Sequence, residues 1–193
     1  VPVGPDHHVL GLDVPVHDAG RVSDRQRSRR LSNEPGGLRD TRALADQLMS
    51  ELKAELGQAM QQGGPVAAVA VCKSRAPQIA ARLSASSGAD VGRTAIRLRN
   101  PANAPDELER AVMQGFAAEL SSASPAATAP PEAIFESRSA QGTERRYLRA
   151  IVMQPVCLAC HGATLAPDIA TAIARDYPQD AATGFETAQL RGA

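Results

Sequence analysis

The residues with the clearest chemical potential are Cys157, Cys160 and His161, which stand together in the run Cys157-Leu158-Ala159-Cys160-His161. Two thiols separated by two residues can form thioether bonds to the two vinyl groups of one porphyrin, and the adjacent imidazole can bind its iron. This spacing is the attachment pattern of c-type haem. The sequence therefore predicts one covalent haem c, anchored by Cys157 and Cys160, with His161 as a ligand of the iron.

Two other interpretations of this run need different surroundings. A zinc site would require further ligands, which would have to come from Cys72 or from the histidines near the N-terminus. A redox-active dithiol would follow a strand and open a long helix within a βαβ unit, and the sequence shows no such pattern. Haem attachment accounts for both thiols and the imidazole, so it is the preferred interpretation.

The second axial ligand of the iron is less closely specified. The candidates are Cys72, Met49, Met60, Met113, Met153, His7, His8 and His17. Cys72 is preferred because it has no thioether partner and because the neighbouring Lys73 and Arg75 would favour its thiolate, the form that binds metals. A free cysteine is also often a small buried apolar residue, so both interpretations of Cys72 stand at this point.

Three arginines form a further candidate surface. Arg93, Arg97 and Arg99 alternate with apolar residues over 91–99, a pattern typical of a half-buried strand. Guanidinium groups pair bidentately with carboxylates, so this face could hold the propionates of a haem. A solvated strand face explains the same pattern.

The bulk composition limits the remaining possibilities. The 21 basic and 21 acidic residues cancel, so nucleic acid is not an expected partner. No run approaches the roughly 20 consecutive apolar residues that cross a bilayer, so we expect no membrane insertion by this chain. Aromatic residues make up only 3% of the sequence, and a bound macrocycle would supply part of the missing apolar bulk.

Two regions are expected along the chain. Residues 1–37 are rich in Pro, Gly, His, Asp and Arg without sustained periodicity, which predicts a disordered or extraneous segment. Residues 38–193 are expected to form one domain. Hydrophobic spacing and capping residues predict its elements: a helix over 40–62 ended by Gly63-Gly64-Pro65, a helix over 66–83 kinked at Pro77, a strand over 91–99, a helix from Asp106 and Glu109 to Leu120, a hairpin of 133–137 with 145–154, and a helix over 167–177.

Four separated stretches together resemble a known family, the c-type haem-binding domains with a PAS-like fold, long grouped as a domain of unknown function. They are Val91 to Asp106, Cys157 to Gly162, Tyr177 to Phe185 and Leu190 to Ala193, and the similarity covers about Leu38 to Ala193. In that family a cysteine in a helical segment similar to Val71 to Pro77 is an axial ligand opposite the attachment-motif histidine. The resemblance thus implies that Cys72 binds the iron. One departure is Ala188-Gln189, which precedes Leu190 where the family usually has a glycine.

The resemblance also implies a fold and a function. The expected fold is α+β, a PAS-like antiparallel sheet with flanking helices around one covalent haem. The expected function is a soluble electron-transfer or redox protein with a redox partner, or alternatively an extracytoplasmic haem-based redox or gas sensor that signals through a partner.

Catalysis is not expected, because two axial ligands leave no open site on the iron and the sequence offers no acid, base or nucleophile constellation around it. Covalent attachment of haem normally takes place outside the cytoplasm. A periplasmic or otherwise extracytoplasmic location is therefore expected, although the chain carries no signal peptide.

Overall fold

The structure is a computed structural model and describes residues 37–122, 129–139 and 142–193. Its helices are Gly37–Ser87 (α1), Glu107–Ser122 (α2), Leu158–His161 (α3) and Pro167–Asp176 (α4), and its strands are Glu132–Ser139 (β1), Gly142–Arg149 (β2), Ile151–Val152 (β3) and Leu190–Gly192 (β4). The expected α+β class is confirmed. The predicted disordered segment and its histidines lie outside the described residues, apart from Gly37. Within the described ranges, no helix combines the length and apolarity that crossing a bilayer requires.

Helix α1 consists of two limbs that meet at Gly63 and Gly64, whose backbone angles are not helical. Gly64 has a φ of 68°, a left-handed conformation that glycine adopts without a Cβ penalty. The following Pro65 has no N–H and suits the first turn of the second limb. The predicted helix over 40–62 and its end at Gly63-Gly64-Pro65 are therefore confirmed.

The second limb runs through Pro77 to Ser87, so the helix predicted over 66–83 is confirmed and Pro77 does not break it. Non-helical angles inside α1 occur only at the two glycines. Pro77 removes the hydrogen bond to the carbonyl of Lys73, but both residues are exposed, so water can take that bond. The limb ends where Gly88 adopts a φ of 72° and donates its N–H to the Ser84 carbonyl at 3.0 Å.

Residues 91–99 form an irregular segment with bends at 96–97 and at 99, so the prediction of a strand there is wrong. Thr94 exchanges both backbone hydrogen bonds with Ala193, each at 2.9 Å, whereas Ala95 donates to Asn103 at 3.3 Å. The segment is therefore fixed by separate contacts to different partners, not by one continuous ladder. The predicted apolar face fails as well, since Ile96 is 37% exposed.

Helix α2 begins at the predicted capping box. The Glu109 N–H donates to Asp106 Oδ1 at 2.8 Å, and the Asp106 N–H donates to Glu109 Oε2 at 3.2 Å. Its inner face places Met113 and Phe116 in a core cluster with Leu148 of β2. The predicted third helix is thus confirmed, and it covers the hairpin.

The predicted hairpin is confirmed as β1 and β2, which pair antiparallel from Glu132 with Arg149 to Ser139 with Gly142. The chain then continues directly into β3, which pairs antiparallel with β4. Met153 extends that pairing, because its N–H donates to the Gln189 carbonyl at 2.9 Å. The described residues thus hold two small antiparallel sheets joined through one run of chain.

Helix α4 confirms the helix predicted over 167–177 and packs against the second limb of α1. Val69 of α1 contacts a buried cluster formed by Ile169, Ile173 and Tyr177, with Cys160 at its edge. Apolar burial therefore joins α1, α4 and the end of α3. This junction brings Cys72, one helical turn after Val69, to the side of the molecule that carries the Cys-Leu-Ala-Cys-His run.

Candidate functional site

The attachment segment, residues 154–162, is a tight helical turn. A 3-10 turn from Pro155 to Cys157 leads directly into α3, which spans only Leu158–His161. Residues three apart on a helix share a face, so Cys157 and Cys160 are presented together. Both thiols, and that of Cys72, are free.

Gly162 ends this turn where no side chain fits. A Cβ there would lie 2.7 Å from the carbonyl oxygen of Leu158. On its other side the Gly162 carbonyl accepts the N–H of Gly184 at 2.9 Å, while the His161 carbonyl accepts that of Phe185 at 2.9 Å. The attachment segment is therefore held against residues 180–185, which we call the facing turn.

The side chain of His161 connects the attachment segment, to which it belongs, with the facing turn. Its Nδ1 is 2.6 Å from the carbonyl oxygen of Ala182, and since a carbonyl only accepts, Nδ1 carries the proton and donates it. Burial lowers the pKa of His161 to about 3, and the charges of Arg191 and Arg99 act in the same direction. The imidazole is therefore neutral, with an unprotonated Nε2, the form that binds a metal.

Arg99 and Asp180 form a buried ion pair beneath His161. Arg99 Nε lies 3.1 Å from Asp180 Oδ1, and the two side chains are only 7% and 9% exposed. Arg99 Nη2 also donates to the carbonyls of Cys160 at 2.6 Å and Ala182 at 3.3 Å. One guanidinium thus bridges the attachment segment and the facing turn.

This pairing corrects the expectation that three arginines share one face toward haem carboxylates. Arg99 is committed to Asp180, and Arg97 lies over the ring of Phe185, with Cζ 4.0 Å from the ring centroid. Arg93 stays available and half-buried. The expectation fails because 91–99 is not a regular strand, so alternate residues do not point the same way.

Arg191 is a site residue that no motif singled out by itself, although it lies within the Leu190 to Ala193 stretch of the family resemblance. Its pKa is lowered to about 10, chiefly by burial and also by Arg99 and Arg93, against the raising effects of Asp180 and Cys72. Its Nη1 donates to the Arg97 carbonyl at 3.2 Å. An Arg in a short C-terminal strand looks like any surface residue in sequence, and only its burial marks it.

Cys72 is half-buried and belongs to the same charge cluster. Its charge raises the pKa of Tyr177, for which burial is the larger cause and which reaches about 12. The pKa of Cys160 is raised by burial and also by Cys72, against the lowering effect of Arg99. The structure therefore brings the third cysteine into the surroundings of the attachment segment.

The cations expected to favour the Cys72 thiolate are engaged elsewhere. Lys73 pairs with Asp176 of α4 at 3.0 Å, and Arg75 pairs with Glu55 at 2.6 Å. Both ion pairs lie on the exposed side of α1, where a carboxylate neutralises each cation. Arg191 is a third cation near Cys72, since Cys72 is among the groups that raise the pKa of Arg191.

The candidate methionines are separated by the fold. Met113 is fully buried in the cluster beneath the hairpin. Met153, 1% exposed, instead packs with Ala182 and Phe185, and Cys157 contacts the same cluster. Met49 and Met60 are half-buried on the first limb of α1, and Met49 lines the cavity that also reaches Cys157. Met153 is the buried methionine to compare with Cys72 as a second ligand. His7, His8 and His17 lie outside the described residues.

A cavity of about 1170 Å³ opens between α1, residues 89–94 and strands β2 and β3. Its lining includes Cys157 and Arg93 together with Leu48 and Leu148, but it does not include Cys160, His161 or Cys72. Volumes of this order hold large organic ligands. Cys157 thus stands at the border between an apolar cavity and the attachment segment.

These residues fit a covalent haem better than the alternatives. Two free thiols on one face stand beside a neutral imidazole, which is the donor set that c-type haem requires. Within the described ranges, no group of three or more His, Cys, Asp or Glu side chains is placed to hold a metal ion, as a zinc site would need. The helix after Cys157 has four residues, in contrast to the long helix of a redox dithiol.

Comparison with known proteins gives a consistent result. The family model described as Tll0287-like matches residues 26–193. Among solved structures the chain is similar to the cyanobacterial haem protein Tll0287, with a TM-score of 0.59 and 25% identity over 82% of this chain and 92% of that chain. No curated protein sequence matches. Because the family model spans the attachment segment, the facing turn and Cys72, the chain belongs to the Tll0287-like family.

Proposed function

We propose that this protein is a monohaem c-type cytochrome that transfers electrons. The observation that carries the proposal is His161, neutral and fixed through Nδ1 to the Ala182 carbonyl at 2.6 Å beside two free thiols. Haem iron supplies a reversible one-electron couple when bound. The similarity to a solved haem protein supports the same conclusion.

Each residue has a separate task in this proposal. Cys157 and Cys160 hold the haem through thioether bonds, and His161 offers Nε2 as one axial ligand. Cys72 would supply the second ligand of the iron, in the neighbourhood of Arg191. An electron-rich thiolate and an imidazole together favour a low reduction potential. With both axial positions taken by protein, we propose electron transfer and not catalysis.

A PAS-like arrangement is part of the proposal. Its support is the run of chain from β2 to β3, which pairs with β1 and then with β4, and the further pairing of Ala193 with Thr94. Helices α1 and α2 flank these strands. The partner would be a redox protein and not nucleic acid, because the charges of the chain cancel. Because covalent haem attachment normally takes place outside the cytoplasm, we propose a periplasmic or otherwise extracytoplasmic location.

A haem-based sensor is the second candidate. The observation in its favour is that Cys72 lies on α1, whereas the other haem residues lie on the attachment segment. Displacement of Cys72 by a gas or by a redox change would release α1 locally from the attachment segment, while the Val69 cluster and the Lys73–Asp176 ion pair would still hold α1 to α4. A signalling partner would then read the position of α1.

The test begins with attachment. The chain, exported with an added signal sequence, should give a covalent haem stain on a denaturing gel, and the Cys157→Ser/Cys160→Ser double variant should give none. Colourless wild-type protein would refute the proposal.

Ligation and function are tested on the haem-loaded protein. Cys72→Ser should change the optical spectrum yet keep the covalent stain, whereas the matched variant Met153→Leu should leave the spectrum unchanged. The reverse pattern would make Met153 the ligand. Potentiometry with and without carbon monoxide separates the two functions: reversible one-electron cycling without gas binding supports electron transfer, and gas binding with loss of the thiolate spectrum supports the sensor.

A further inference from the structure

The Arg99–Asp180 pair is not only buried but is also connected to His161 through backbone hydrogen bonds. Asp180 Oδ1 accepts from Arg99 Nε at 3.1 Å and from the Ala182 N–H at 3.0 Å. Arg99 Nη2 donates to the Ala182 carbonyl at 3.3 Å. The peptide groups on both sides of Ala182 are thus fixed by the two members of one ion pair.

The Ala182 carbonyl is also the acceptor for His161 Nδ1. Ala182 itself is 0% exposed, so water does not compete for that oxygen. Arg99 reaches the other side of the histidine as well, through the Cys160 carbonyl at 2.6 Å. One guanidinium therefore bonds both the carbonyl that precedes His161 in the chain and the carbonyl that accepts from its ring.

Arg97 provides an internal comparison. It lies two residues away on the same irregular segment and contacts the same turn, since its Nε donates to the Ala181 carbonyl at 3.2 Å. However, Arg97 is exposed, pairs with the face of Phe185, and bonds neither Ala182 nor Cys160. Proximity to the facing turn is common to both arginines, but only Arg99 reaches the groups that hold His161.

We propose that Arg99 and Asp180 are positioning residues that fix the tautomer and ring orientation of His161 as an iron ligand, acting through the Ala182 carbonyl. The inference rests on the proposed haem function. Its physical basis is that a hydrogen bond from one imidazole nitrogen to a fixed acceptor determines which nitrogen is free and makes it a better donor to a metal. A buried pair of this kind is suited to defining one geometry, since apolar packing could supply burial without direction.

The first experiment needs no haem. Nitrogen-15 spectra of the full-length haem-free protein report which imidazole nitrogen of His161 is protonated, and wild type and Arg97→Gln should both show a single Nδ1–H form. Asp180→Asn and Arg99→Met should show a mixture of tautomers. Arg99→Lys should recover only part of the single form, because an ammonium can pair with Asp180 without spanning both carbonyls. A single Nδ1–H form in both Asp180→Asn and Arg99→Lys would overturn the proposal, even if Arg99→Met failed to fold.

The second experiment uses the haem-loaded protein. Electron paramagnetic resonance of wild type and Arg97→Gln should give one narrow low-spin signal, and Asp180→Asn should give a broadened or split one, with the covalent stain retained in all three. An unchanged signal in Asp180→Asn would overturn the positioning role. Absence of the stain from wild type would refute the haem proposal instead, and the tautomer measurement would then decide the role of the pair by itself.

Discussion

Two buried regions of this molecule are held together in different ways. The hairpin core, made of Met113, Phe116, Leu148 and Ala150, is an apolar cluster between α2 and the hairpin. The attachment segment and the facing turn are joined by directed polar contacts, among them the Arg99–Asp180 pair and the His161–Ala182 bond.

The difference separates stability from geometry. Apolar packing stabilises a fold in proportion to the area buried but tolerates many side-chain arrangements. A hydrogen bond stabilises less but fixes a distance and an angle. We therefore expect changes in the hairpin core to alter unfolding without altering His161, and changes in the facing turn to alter His161 beyond their effect on unfolding.

The largest effect is expected in the hairpin core. Phe116→Ala removes a side chain that is 5% exposed, and a buried Phe replaced by Ala lowers the free energy of unfolding by about 4 kcal/mol. Urea denaturation measures this, with the exposed Gln114→Ala on the same helix as a control that should change little. The His161 tautomer should be unaffected, and a change in it would contradict the separation between the two regions.

Changes to the buried ion pair should alter the His161 tautomer as well as the free energy of unfolding. Arg99→Met leaves Asp180 buried without its partner and should lower the free energy of unfolding by about 3 kcal/mol. The double variant Arg99→Met/Asp180→Leu removes both charges and should recover at least half of that loss, because two apolar side chains pack without an unpaired charge. The single His161 tautomer should not return with the stability. Full recovery of the single His161 tautomer in the double variant would show that the ion pair contributes only to stability.

A smaller effect is expected at two residues with left-handed backbones. Ala188 has a φ of 69°, in the turn that precedes β4. Ala188→Gly should raise the free energy of unfolding by about 0.5 kcal/mol, because the strain of a left-handed alanine outweighs the entropy that glycine loses on folding. Gly184 has a φ of 74°, and a Cβ there would lie 3.3 Å from Arg97 Nη2. Gly184→Ala should therefore lower the same quantity by about 1 kcal/mol. If thermal melts showed that Ala188→Gly and Gly184→Ala change the free energy of unfolding in the same direction, this account would be contradicted.

The smallest effect concerns pH at the outer edge of the hairpin. The Arg42 guanidinium lowers the pKa of Glu132 below its ordinary value of 4.5, with help from the Tyr147 hydroxyl. Because folding stabilises the ionised form of Glu132, the carboxylate contributes to stability above pH 4.5. This contribution is lost as the pH falls through the lowered pKa of the folded state. The melting temperature of wild type should exceed that of Glu132→Gln at pH 7, and the gap should close below pH 4. A gap that is constant over this range would exclude the charge as its cause.

Much of the local structure could be predicted from sequence. The capping residues Asp106 and Glu109, the helix end at Gly63-Gly64-Pro65 and the start of α4 depend on neighbours within a few positions, and each is confirmed. The prediction of a strand over 91–99 is wrong, because alternation of polar and apolar side chains does not by itself supply a partner strand. Pro77 was expected to kink α1, but exposure of the freed carbonyl lets the helix continue.

The sequence by itself determined the donor types and their spacing at Cys157, Cys160 and His161, because that chemistry lies within five consecutive positions. Only the tertiary structure decided what surrounds them. Arg99 is 81 residues from Asp180 in the chain, and His161 is 21 residues from Ala182. Such pairs leave no spacing pattern in a sequence, since they form only when α1, α4 and the facing turn pack around a common interior. The identity of the donor side chains in this run was therefore local, whereas their orientation and charge belong to the fold.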